Sequence, residues 1–104
     1  MQKEDWEKLT FFEQLSNMDG DVERLIRAHH KYLEGKSDTD RGYEYLYHIK
    51  KLITLTFMDP KNAQKGYCAI ELMDEVDELR KYLEGEYPDD YIRRYWNAYT
   101  RAIS

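Results

Sequence analysis

Glu71, Asp74, Glu75, Asp77 and Glu78 crowd a single short stretch of the chain. On a helix, Glu71 shares a face with Asp74 and with Glu75, and carboxylate oxygens so placed can hold Mg²⁺. Glu71, Asp74 and Glu75 are therefore a candidate metal site. The competing assignment is a solvated acidic face, partly paired with Arg80 and Lys81. His29, His30 and His48 are the only histidines. Neighbouring histidines on a helix diverge by about 100°, which separates His29 from His30 as ligands of one ion. Glu44 and His48, four residues apart, supply half a site, and a hydrogen-bonded pair along the helix is the simpler assignment. Cys68 lacks an obvious basic activator nearby and reads as a small core residue. No glycine-rich phosphate loop and no Ser/His/Asp arrangement stands out, and no cofactor is implied.

The aromatic residues are the most unusual feature. There are ten tyrosines. Tyr87, Tyr91, Tyr95 and Tyr99 form a ladder at four-residue steps, with Trp96 alongside and Arg93 and Arg94 between. Tyr43, Tyr45 and Tyr47 form a second group. Tyrosine joins apolar area to a polar tip, which suits interfaces. A four-residue step advances the ladder by about 40° around a helix, so one end can face a core and the other solvent. Tyr87, Tyr91, Arg94, Tyr95, Trp96 and Tyr99 are thus a candidate partner-binding surface. The alternative is that the rings rim a small core and send their hydroxyls into water.

These residues must be positioned by a chain of 104 residues, one domain's worth spanning 1–104. Hydrophobic residues make up 41% and charged residues 36%, a charge excess that fits solvated helix faces. One cysteine excludes an internal disulfide. The stretch from Met1 to Trp6 lacks the apolar run of a signal peptide, and no apolar run is long enough to span a membrane. A cytoplasmic setting is the expectation. A net charge of −5 argues against a sequence-independent grip on nucleic acid.

The hydrophobic spacing predicts four helical segments and no strand, arranged as an all-α up-and-down bundle with a shorter last helix. Trp6 to Leu9 reads as a lead-in turn. Thr10-Phe11-Phe12-Glu13 reads as a capping box. Phe12, Leu15, Met18, Val22, Leu25, Ile26, His29 and Leu33 then recur along one face, until Gly35 stops the helix. Gly20 inside it marks close packing or a kink. The second helix starts near Ser37-Asp38-Thr39-Asp40 and carries Leu46, Ile49, Leu52, Ile53 and Thr56. Asp59-Pro60 ends it and caps the next element. The third carries Tyr67, Ile70 and Met73 beside Leu72, Val76, Leu79 and Leu83, and Gly85 stops it. Tyr87-Pro88-Asp89-Asp90 opens the fourth, where acids suit a helix N-terminus.

Three resemblances bear on function. Trp6, Leu9-Thr10-Phe11, Glu13-Gln14 and Asn17, followed by Val22-Glu23-Arg24, resemble a W-x-x-L-S-F-x-E-Q-x-x-N signature of small all-helical bacterial and archaeal proteins. Leu52-Ile53-Thr54-Leu55-Thr56 with Asp59-Pro60 is similar to a later segment of that family. Thr10 replaces the family's Ser and keeps the cap. The resemblance implies an all-helical fold and a microbial or mobile-element origin, and carries no activity.

Arg24-Leu25-Ile26-Arg27-Ala28-His29 resembles the Arg-x4-His motif of HEPN-type ribonucleases. That resemblance would make Arg24 a charge stabiliser and His29 a proton-transfer group at a scissile phosphate. Against it, the two residues point about 140° apart on a regular helix, Leu25 is apolar where that family favours a polar residue, and the motif sits early in the chain. The acids of the third helix are similar to those of helical nucleotide pyrophosphohydrolases, which need a second acidic pair on the preceding helix. Lys50-Lys51 and an apolar stripe occupy that place. The expectation is a non-enzymatic, protein-binding or regulatory helical protein whose partner is another protein or a second copy of itself. A HEPN-like ribonuclease using Arg24 and His29 is the alternative, with Mg²⁺-dependent nucleotide hydrolysis at Glu71, Asp74 and Glu75 behind it.

Overall fold

The computed structural model describes residues 2–103, the side chain of Asp90 excepted. Asp90, expected to favour the start of the last helix, therefore has its side chain outside the described residues. The first element, α1 (Lys3–Glu7), is a helix that begins before Trp6, earlier than the lead-in turn expected at Trp6 to Leu9. Thr10 then caps α2 (Phe11–Leu33). Its hydroxyl accepts from the Glu13 amide at 3.1 Å, and its own amide donates to the Glu13 carboxylate at 3.0 Å. The two exchanged bonds satisfy donors that a bare helix end leaves open.

α2 runs unbroken through Gly20. A Cβ there would meet only the Arg24 guanidinium, at 3.5 Å, so neither close packing nor a kink requires that glycine. Gly35 ends α2 with a φ of 75°, and Gly85 ends the helix before it with a φ of 90°, both in the left-handed region that side chains disfavour. α3 (Gly42–Met58) starts just after the expected Ser37 to Asp40 stretch, and Asp40 Oδ1 accepts from the Gly42 amide at 2.9 Å. Gly42 is where the bundle is tightest. A Cβ there would lie 2.7 Å from a Leu83 methyl and 3.3 Å from the Leu25 carbonyl. Asp59 closes α3, accepts from the Lys61 amide and opens a 3₁₀ segment, Pro60–Lys65. α4 (Gly66–Leu83) and α5 (Asp89–Ile103) complete the chain.

Four long helices form an all-α bundle, α5 being the shortest of them, and no strand occurs among the described residues. Side-chain pairs fix the directions. His29 meets Asp40 while Asp21 meets His48, so α2 and α3 are antiparallel. Tyr99 meets Glu71 while Tyr82 meets Asp89, so α4 and α5 are antiparallel. Asp19 with Trp96, and Glu23 with Arg93, bring α5 back onto α2. No helix among the described residues is long and apolar enough to cross a membrane.

The core follows the predicted stripes of α2 and α3, with one correction on α2: Phe12 and Leu33 are exposed. On α4 the two apolar columns part company. Leu72, Val76, Leu79 and Leu83 are buried, whereas Tyr67, Ile70 and Met73 face solvent. On α5 the buried column is Ile92, Trp96 and Thr100, one residue out of step with the tyrosines. One step is about 100° of helix, enough to move the ladder to the edge of the core.

Candidate functional site

Trp6 and Gln14 are fully buried. The Trp6 indole donates to the Thr56 hydroxyl at 2.9 Å. The Gln14 amide nitrogen donates to the Trp6 carbonyl and to Asp59 Oδ2, both at 3.0 Å. Asn62 donates to Gln14 Oε1 at 2.9 Å and to the Thr56 carbonyl at 2.8 Å. Burial pulls the Asp59 carboxyl upward, but bonds from the Lys61 ammonium, Gln14 and the Lys61 amide outweigh it and leave its pKa lowered. The signature and the Thr56/Asp59 segment thus form one buried lock that pins α1 and the 3₁₀ segment to α2 and α3. Each of these side chains is hydrogen-bonded to another part of the lock.

The histidines are all engaged with aspartates. His29 is 5% exposed, its Nδ1 lies 2.6 Å from Asp40 Oδ2, and its ring meets Tyr82 edge-on at 4.9 Å. It is a core histidine. Arg24 points instead to the surface and donates to Asp21 Oδ1 at 2.8 Å. The structure therefore does not present Arg24 and His29 together to a phosphate, as their divergence on a regular helix requires. His30 pairs with Asp89. His48 was expected to bond Glu44 along its own helix. It bonds across to Asp21 on α2, at 2.6 Å, and Glu44 pairs with Arg41 at 3.5 Å.

The acidic run and the tyrosine ladder, read separately from sequence, face each other. α4 and α5 bring Glu71 to Tyr99, whose hydroxyl donates at 2.9 Å and also reaches the Cys68 carbonyl at 3.4 Å. The Tyr95 hydroxyl faces Glu75 and the Tyr87 hydroxyl faces Glu78. Tyr87 meets Tyr91 at a tilt of 34° with centroids 4.7 Å apart, and Tyr91 stacks on Tyr95 at 5.7 Å and 15°. Burial drives the Glu75 carboxyl up to about 7, with the charges of Glu78 and Asp74 adding to it and the Tyr95 hydroxyl opposing. The Glu78 carboxylate, more than burial, raises the Tyr87 hydroxyl to about 12. Among the described residues no three His, Cys, Asp or Glu are placed to hold a metal ion, so Glu71, Asp74 and Glu75 do not converge on one point.

Within the expected partner surface, Trp96 is buried and its indole donates to Asp19 at 2.6 Å. That is a correction with a simple cause: Trp96 belongs to the Ile92/Thr100 column. Tyr87 and Tyr99 are half-buried, and Tyr91, Arg94 and Tyr95 are exposed. A second surface escaped the sequence reading. A groove of about 550 Å³ between α2 and the start of α3 is lined by Arg24, Arg27, Lys31, Lys36, Arg41 and Tyr45. The spacing of Arg24, Arg27 and Lys31 puts them on one helix face and was the available signal. Comparison with known protein families, with curated proteins and with solved structures finds no match to the chain.

Proposed function

We propose that this chain is a non-enzymatic recognition module that binds another protein through the α4–α5 seam in a reducing cytoplasm. The observation that carries this reading is the stacked pair Tyr91 and Tyr95, 43% and 42% exposed, lying beside a column of carboxylates. Flat aromatic faces bordered by acid attract arginine and lysine, by cation–π contact and by charge. The partner is therefore a protein with a basic segment. Binding it offsets a repulsion that the free module carries among Glu75, Glu78 and Asp74. The single thiol, Cys68, is buried and plays no part.

The test is affinity capture from the host's lysate with wild type and with Tyr91→Ala/Tyr95→Ala. The expected result is a stoichiometric protein that is lost with the double substitution and displaced by an arginine-rich peptide, with the variant's helicity unchanged by circular dichroism. Capture that survives both the substitution and the peptide removes the reading. Sedimentation of the purified chain distinguishes a second copy of itself from a different protein.

A further inference from the structure

We propose that the groove between the second half of α2 and the start of α3 binds a compact phosphate-bearing anion. The chain carries a net charge of −5, yet five of its cations meet here. Arg24, Arg27 and Lys31 come from successive turns of α2, Lys36 from the loop beyond Gly35, and Arg41 from the first residue position before α3. Three are held at the rim by carboxylates: Arg24 by Asp21 at 2.8 Å, Lys36 by Glu34 at 2.8 Å and Arg41 by Glu44 at 3.5 Å. Arg27 and Lys31 have no such pair among the described residues and share the groove. Like charges gathered without a counter-charge repel, and an anion seated between them removes that cost.

Three features set the chemistry of the ligand. Two uncompensated cations match a phosphate group, which carries roughly −1.5 to −2 near neutral pH. Arginine forks offer paired N–H donors that suit phosphate oxygens. The groove volume, about 550 Å³, lies in the range of roughly 300–1,000 Å³ typical of small-molecule sites, and half-buried Tyr45 gives it one aromatic wall. A nucleic acid strand fits less well. It needs a basic track, and here Asp21, Glu34 and Glu44 pair with three of the five cations on an acidic protein. The phosphate is that of a nucleotide or of a free pyrophosphate. The site lies on α2 and α3 and is independent of the α4–α5 seam.

Calorimetric titration at low ionic strength with ADP, inorganic pyrophosphate and a short oligouridylate tests the proposal. Arg27→Gln/Lys31→Gln is compared with Lys3→Gln/Lys8→Gln, which removes the same charge from α1 and the residue that follows it. Arg27 and Lys31 are exposed, so the fold should persist, and circular dichroism checks it. ADP or pyrophosphate is expected to bind wild type and the α1 variant, and to bind the groove variant at least about tenfold more weakly. Tighter binding of ADP than of pyrophosphate, lost in Tyr45→Ala, makes a nucleotide the source. Equal binding makes it the free anion. No binding of either at millimolar concentration overturns the proposal, as does equal weakening in both variants. Tighter binding of the oligouridylate than of both small anions overturns it in favour of a nucleic acid.

Discussion

The lock around Trp6 and the seam between α4 and α5 are both built from polar side chains, and they are opposite in kind. In the lock, Gln14, Thr56, Asp59 and Asn62 are each nine-tenths or more buried, and each is hydrogen-bonded within it. Its carboxylate, Asp59, is held ionised by Lys61 and Gln14. In the seam, tyrosine hydroxyls face an excess of carboxylates, and one of these, Glu75, is pushed toward its neutral form by burial and by its neighbours. A satisfied polar network fixes one structure, whereas an unbalanced one leaves free energy for a partner to release. The difference separates the part of the molecule that holds the fold from the part we propose for recognition.

Gln14→Leu would break the lock. It leaves Asp59 with one donor fewer, Asn62 without the Gln14 acceptor and the Trp6 carbonyl with the Leu9 amide alone, all inside the protein. Three buried hydrogen bonds are lost at about 0.5–1.5 kcal/mol each, so the expected loss is about 2–4 kcal/mol, read by urea denaturation with the slope unchanged. Binding at the seam should survive in whatever fraction remains folded. A loss below about 0.5 kcal/mol, the scale of ordinary surface substitutions, would mean that the lock does not hold α1 and the 3₁₀ segment in place.

Glu75→Gln acts in the opposite direction. A pKa raised from 4.5 to about 7 means that the folded protein holds a proton there that the unfolded chain has released. The stability this contributes is fully present below pH 4.5 and is lost as pH rises through about 7. Glutamine keeps the neutral form at every pH. At pH 8 the variant should therefore be more stable than wild type by about 1–2 kcal/mol, the shift being discounted for solvent screening. At pH 4.5 the two should coincide. Asp59 slopes the other way: its lowered pKa gives stability that is lost as pH falls below the usual 3.8. Melting temperatures from pH 3 to 9 separate the two regions, and a Glu75→Gln variant parallel to wild type throughout would refute the unbalanced seam.

Much of the fold could be read from local sequence, because its signals are local. The Thr10/Glu13 box, the Gly35 and Gly85 stops and the Asp59-Pro60 break each act within a few residues. What each face would meet could not be read this way. Trp6 finds its partner fifty positions away at Thr56, and periodicity shows that a face exists without showing what covers it. For that reason Glu71, Asp74 and Glu75 read as one site and the tyrosines as another, when the fold makes Glu71 and Glu75 partners of Tyr99 and Tyr95. The groove was hidden similarly: Arg24, Arg27 and Lys31 could be placed on one face, but a loop brings Lys36 and Arg41 to them.

Tyr95→Phe is the smallest and most selective change, because it removes one hydroxyl and keeps the ring. The Tyr95 hydroxyl is what restrains Glu75 from rising further. Without it the Glu75 pKa should climb above its wild-type value, a shift that the side-chain carboxyl resonance reports directly by NMR titration. Stability should fall by less than about 1 kcal/mol, and only above pH 7, where Glu75 is otherwise ionised. A basic partner supplies charge of the opposite sign, so its binding should lower the Glu75 pKa and release protons near pH 7. The phenylalanine variant should release more of them, having more to lose. Proton release equal in both proteins would place the partner's charge away from Glu75, and the seam would then be another part of the scaffold.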